Sequence, residues 1–165
     1  MKRNNNSSFS ALLIMLALAT LVVFVSGVNT QAQKTRAAIN NPAATTQQPL
    51  YTDYKGVRLG MTAGEARTRL GKAAFSDKDL DYYVISETET VQIAIDAQGK
   101  VKAISVDYMN GTGAPDPKTV VGADLEPRPD GTLYRMVRYE SQGFWVSYSR
   151  TAGPVIIVTV TIQKM

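Results

Sequence analysis

Neither cysteine nor histidine occurs anywhere in the 165 residues. Without cysteine there is no disulfide framework, no thiol nucleophile and no acylated lipoprotein cysteine; without histidine there is no Ser-His-Asp triad, and the two absences together remove nearly all zinc chemistry. Acidic residues are missing from the first fifty positions, and only one Trp is present. What remains is 44 % apolar and 19 % charged, a composition that supports a packed core rather than disorder. The length suits one modest domain, or two very small ones.

The formal charge of +4 invites a nucleic-acid or anionic-membrane partner until it is placed along the chain. Lys2, Arg3, Lys34 and Arg36 supply the whole excess, and residues 51–165 hold all 14 acidic side chains against an equal number of basic ones. The folded part is therefore neutral by count. No nucleic-acid partner is expected, and membrane contact is expected only through the N-terminal segment.

That segment has the layout of a secretory signal: Met1-Lys2-Arg3, a polar stretch to Ser10, then an apolar run from Ala11 to Val25 broken only by Thr20. Thr30-Gln31-Ala32 places small or short polar residues where signal peptidase needs them, leaving Gln33 as the new N-terminus; cleavage after Gly27 is a second option. The competing reading is an uncleaved anchor, because Phe9 to Val28 approaches the roughly 20 residues that cross a bilayer. Under either reading residues 1–32 are for addressing, and the rest of the chain is exported to the periplasm or outside the cell, anchored in the second case to the inner membrane by residues 9–28. Residues 33–50 are mostly Gln, Asn, Thr, Ala and Pro, too poor in large apolar groups to repay ordering, and read as a disordered linker.

The domain of residues 51–165 begins with a well-punctuated helix. Thr62 with Glu65 three positions on makes a capping box. Ala63, Ala66 and Leu70 share one helical face, Glu65, Arg67 and Arg69 point elsewhere, and Gly71 ends the helix. Strands follow at Tyr82–Ile85, Val91–Ile95 and Val101–Tyr108, the last two joined by a tight turn over Asp96–Lys100 in which Gly99 takes positive φ. Asn110–Pro117 is a breaker cluster. Strands starting at Leu133, Phe144 and Val155 then repeat the spacing, with residues 116–122 supplying one helical turn at most. The expectation is an α+β fold: a degenerate tandem repeat, with units at about 57–109 and 116–163, whose helix packs on one face of a roughly six-stranded antiparallel sheet. Val155–Ile162, apolar on both faces, is expected to be a central strand covered on both sides.

Leu59-Gly60-Met61-Thr62-Ala63-Gly64-Glu65, continued to Leu70-Gly71 and followed by strand, strand, an Asp-x-x-Gly-Lys-Val turn and strand, resembles the repeat of the SmpA/OmlA outer-membrane assembly lipoproteins and of the β-lactamase inhibitory protein fold. The resemblance covers about Val57 to Tyr108, with a blurred second copy to Ile162. It implies an extracytoplasmic module that holds another protein and performs no catalysis. The lipobox cysteine of the assembly lipoproteins is missing here, so lipid anchoring does not follow, and no β-lactamase target is implied.

Candidate chemistry is thin. Asp77-Lys78-Asp79-Leu80-Asp81 has the alternating carboxylates of a calcium loop, with Glu87 and Glu89 as oxygens from across a hairpin, but Tyr82 and Thr88 stand where an EF-hand needs Gly and Glu, so a solvated loop is favoured. No pair of acids is marked out for hydrolysis, which needs two carboxylates about 5–10 Å apart across a cleft. Gly111-Thr112-Gly113 lacks the strand, the helix and the third glycine of a dinucleotide loop. No catalytic residue, metal site or cofactor is assigned.

Binding is better represented. In Phe144–Arg150 the alternation puts Phe144, Val146 and Tyr148 on one face and Trp145, Ser147 and Ser149 on the other. If the first set faces the core, Trp145 is displayed on the open face of the sheet, bordered by Tyr134, Met136 and Arg138 or, in the other register, by Arg135 and Tyr139. Aromatic residues with arginine are common interface anchors; against this, Trp145 could itself belong to the core. The sequence thus reads as an exported, non-catalytic module binding another exported or envelope protein through Trp145, Tyr134, Met136 and Arg138. A membrane-anchored structural envelope protein without a specific ligand is the alternative, and a small carboxylate-dependent hydrolase the third reading.

Overall fold

In a computed structural model, which describes residues 48–165, Thr62 opens the first helix as its sequence requires. Its Oγ1 accepts from the Glu65 amide at 3.1 Å, and its own amide donates to Glu65 Oε2 at 2.7 Å, closing the capping box around helix α1 (Ala63–Leu70). Gly71 ends it at φ 83°, where a side chain would be strained. The expected signal or anchor, residues 1–32, and nearly all of the expected linker lie outside the described residues.

Seven antiparallel strands follow: β1 (Phe75–Ser76), β2 (Leu80–Val84), β3 (Glu89–Ile95), β4 (Val101–Met109), β5 (Leu133–Tyr139), β6 (Phe144–Arg150) and β7 (Ile157–Lys164). They form one sheet in the order β1-β2-β3-β4-β7-β6-β5. The expected count of six is corrected to seven because the two-residue β1, too short to show a pattern, pairs Phe75 with Tyr82 and Ser76 with Asp81. Helix α2 (Pro117–Val121) is the single turn expected over residues 116–122, started by Pro117 and ended by Gly122 at φ 75°. Among the described residues no helix is long and apolar enough to cross a membrane.

The core lies on one face of the sheet. Val91, Ile93, Ile104, Val106, Val146, Tyr148, Val160 and Ile162 alternate into it, together with Ala66 of α1 and Val120 and Val121 of α2. Bridging backbone bonds, Gly60 amide to Val101 carbonyl and Ala63 amide to Gly99 carbonyl, fasten the start of α1 to the β3–β4 turn.

Two further expectations are revised. Strand β7 is central, between β4 and β6, but only one of its faces is fully buried: Val158, Val160 and Ile162 are buried, and Thr159, Thr161 and Gln163 are half-exposed. Val155 and Ile156, which made the run look apolar on both faces, precede the strand in a turn where Thr151 Oγ1 donates to the Val155 carbonyl at 3.0 Å and accepts from the Ile157 amide at 2.8 Å. Asp81 is likewise not part of a solvated loop. It is fully buried on β2 and gripped by Arg67, which the helical spacing had turned away from the sheet.

Candidate functional site

The face of the sheet opposite the core can be read directly from the register. Across it runs one row of opposed residues from Arg138 through Trp145, Gln163, Ala103 and Ala94 to Leu80. The next row passes from Met136 through Ser147, Thr161, Ser105 and Gln92 to Tyr82 and Phe75. A third passes from Tyr134 through Ser149, Thr159, Asp107 and Thr90 to Val84. Both helices bury their apolar residues in the core on the other side.

The register therefore brings Trp145, Tyr134, Met136 and Arg138 onto one face and one corner of it. The alternative border of Arg135 and Tyr139 is excluded because Leu133, Val137 and Tyr139 are the β5 residues that enter the core, which leaves Tyr134, Met136 and Arg138 outward. Trp145 is half-buried between Arg138 and Gln163, whereas Tyr134 and Met136 are 42 % and 36 % exposed. The Arg128 guanidinium lies 4.9 Å from the Tyr134 ring centre, a cation–π contact that holds this exposed ring in place.

Sequence pattern alone missed the rest of the face. Its middle is hydroxyl-rich and internally bonded: Ser105 and Thr161 share a hydrogen bond at 3.0 Å, and Thr159 Oγ1 donates to Asp107 at 2.6 Å. Its far corner carries a second apolar set, Phe75 and Val84, both more than half exposed, beside Tyr82. The period-two alternation of β2 was the available signal for Val84 and Tyr82; nothing local marks Phe75.

Every carboxylate that is not exposed is already engaged. Arg67 holds Asp81 with both fork nitrogens, Nε to Oδ2 at 2.8 Å and Nη2 to Oδ1 at 2.9 Å, and the Ser76 hydroxyl also donates to it. Burial pushes the Asp81 carboxyl up, but the bonds from Arg67 and Ser76 outweigh it and hold the group below the usual carboxylate range. Glu89 accepts from the Tyr54 hydroxyl at 2.8 Å and faces Lys55, so it does not join Asp77 and Asp79 as the hairpin idea required. Burial, then the bond to Glu89, pushes the Tyr54 phenol far above its ordinary value, and burial does the same to Tyr51, so neither serves as a base near neutral pH. Asp53 accepts from the Gly56 amide, and Asp96 from the amides of Gln98 and Lys100.

Among the described residues no three carboxylates gather as a metal site would need. A groove of about 450 Å³ opens on the core side, over Leu59, Phe144 and Ile162. Its cations are spoken for, Arg58 by Asp53 at 3.8 Å and Lys164 by Asp96 at 3.5 Å. Thr52 and Gln142 are its remaining polar side chains.

Fold and face together define an α+β protein with an antiparallel sheet whose second face carries no covering element among the described residues. No protein-family model, curated protein or solved structure matches the chain.

Proposed function

We propose that this is an exported, non-catalytic protein-binding module of the periplasm or extracellular space, holding another exported or envelope protein on the open face of its sheet. The observation that carries the reading is the corner formed by Trp145, Tyr134, Met136 and Arg138, a large aromatic surface with an arginine, presented by rigid strands rather than loops. An exposed tyrosine and methionine beside a half-buried tryptophan on one face are the composition of an interface core, and the hydroxyl-rich middle of the sheet gives it a polar rim. The engaged carboxylates and raised tyrosines support a role without acid–base chemistry.

The tandem repeat belongs to the same proposal. β2-β3-β4 and β7-β6-β5 are two antiparallel meanders that meet at the β4–β7 pair, where Val106 stands opposite Val160, and each is preceded by a helix that buries residues in the shared core. The second helix is shorter and has no side-chain cap, and β1 has no counterpart, which is what a degenerate copy would show. The likeness of the Leu59–Gly71 motif to the assembly lipoproteins and the inhibitor fold supports both the repeat and the binding role.

The reading is tested by capturing partners from native envelope with the wild-type chain, with Trp145→Ala and with the exposed-site variant Arg138→Glu, each first shown to melt cooperatively. Loss of the same captured proteins with both variants is expected; equal recovery by all three removes the open face as the binding surface. Mass spectrometry of the native protein tests export: an N-terminus at Gln33 is expected, and an intact Met1 supports the anchored alternative.

A further inference from the structure

The two edges of the sheet differ. One is closed by the two-residue β1, which leaves little backbone to pair with; the other is β5, seven residues long and free of proline. Apart from its ladder with β6 and the 3-10 turn that opens at Tyr139, β5 makes no backbone bond among the described residues. A second observation concerns charge. Arg135 and Arg138 lie on β5, Arg150 stands opposite Leu133 at the end of β6, and Arg128 covers Tyr134; all four are exposed, and none forms an ion pair among the described residues. In a domain of equal acidic and basic counts, four arginines thus gather about one edge, with Asp130 near Arg128 and Glu140 just past the end of β5 as neighbouring acids.

We propose that the free edge of β5 takes an extended acidic segment of the partner as an eighth strand, with carboxylates opposite Arg135 and Arg138. The proposal rests on the binding reading above and names the partner's chemistry. Strand addition satisfies the unpaired backbone groups, and opposed side chains set the sequence preference. Arg135 and Arg138 are three residues apart and therefore project from opposite faces, while Met136 and Val137 lie between them. The complementary segment, in either direction, reads acid, apolar, apolar, acid. A second copy of this chain is a poorer occupant. Pairing β5 with itself about Met136 sets Arg135 diagonal to its equivalent and doubles the unpaired charge, whereas an acidic segment neutralises it.

The probe is an acetylated, amidated octapeptide, Thr-Thr-Glu-Val-Ile-Glu-Thr-Thr, carrying an uncharged fluorophore, titrated by anisotropy at low ionic strength against the full chain in nonionic detergent. Two analogues accompany it, one with Gln for both Glu, the other N-methylated at alternate backbone amides so that it keeps its charge but cannot complete a ladder. Saturable binding is expected, weakened about tenfold or more by Arg135→Glu with Arg138→Glu, by the Gln analogue and by N-methylation, and changed less than about twofold by Phe75→Ala on β1 at the opposite edge. Absence of saturable binding overturns the proposal. So does binding indifferent to the arginine substitutions or to N-methylation, which would be bare charge attraction, and so does a β5-dependent dimer in sedimentation equilibrium that excludes the peptide. If the peptide fails while Trp145-dependent capture persists, the edge proposal falls and the open-face reading stands.

Discussion

Arg67 on α1 and Asp81 on β2 form a two-pronged ion pair in which the Asp81 side chain is wholly buried and the Arg67 side chain stays 45 % exposed. The asymmetry decides what each loss costs. Removing Arg67 strands a buried charge; removing the charge of Asp81 lets Arg67 return to water. We predict that Arg67→Ala destabilises by about 2–4 kcal/mol, toward the lower part of the range for a broken buried pair. Asp81→Asn, which keeps a partner for Ser76, should cost about 1–2 kcal/mol. Urea denaturation of both variants measures the difference, and a larger loss in Asp81→Asn would contradict the assignment.

The same pair predicts a pH dependence. The folded-state pKa of Asp81 is depressed, so its stabilisation is present above the unfolded value of about 4 and is lost as pH falls through the lower, folded one. Glu65, held down by the Thr62 hydroxyl and amide, and Asp96, held down first by the Lys100 amide, contribute with the same sign. Arg67→Ala isolates Asp81: without the guanidinium, burial prevails and the carboxyl titrates high. The stability gap between wild type and this variant should therefore narrow as pH falls, first above about 4 as the variant's Asp81 takes up its proton and then below it as the wild-type group does. A gap constant from neutral to acid pH would show that Asp81 is not ionised in the native protein.

Capping supplies a third, smaller effect. Thr62→Ala removes the hydroxyl half of the capping box while its backbone amide can still donate to Glu65, and should cost about 1 kcal/mol, read as a shift in the denaturation midpoint. Because α1 is on the core side, partner capture by this variant should be unchanged. Loss of capture at full stability would move the binding surface to the helix face.

At the centre of the sheet, Val106 and Val160 face each other with no exposure at all. Truncating either to Ala should cost about 1–3 kcal/mol, and the double variant should depart from additivity because both open the same cavity. Strict additivity would mean that the two meanders do not share one core at this point.

Much of this fold was legible in the sequence where the signal is local. The bounds of α1 were readable to the residue because a capping box and a glycine stop bracket it. The strands were placed to within two residues at their starts, since hydrophobic alternation fades where a strand enters a turn, as Leu80 and Val155 show. What escaped was set at a distance. Asp81 reads as loop because a charge interrupts an apolar run, and its partner lies fourteen residues earlier on another element. Phe75–Ser76 is a strand only because Tyr82 and Asp81 are there to pair with it.

The site follows the same division. Alternation in β6 separated Trp145 from Val146 and Tyr148, so the sequence could place it opposite the core once the core was known. The register of β5 was open between two borders because both contain a tyrosine and an arginine; burial of Leu133, Val137 and Tyr139 decides it. The arginines around β5 were spread over more than twenty positions and form an edge cluster only when β5 and β6 are paired.

The most direct test of the open-face reading is site-specific photocrosslinking in intact cells. A photoreactive residue is placed at Tyr134 or Arg138 on the open face, and at Lys118 on α2 as an exposed control on the core side. The reading predicts a discrete crosslink to another exported or envelope protein from both open-face positions and none from Lys118. No adduct from either open-face position, or the same adduct from all three, would contradict it.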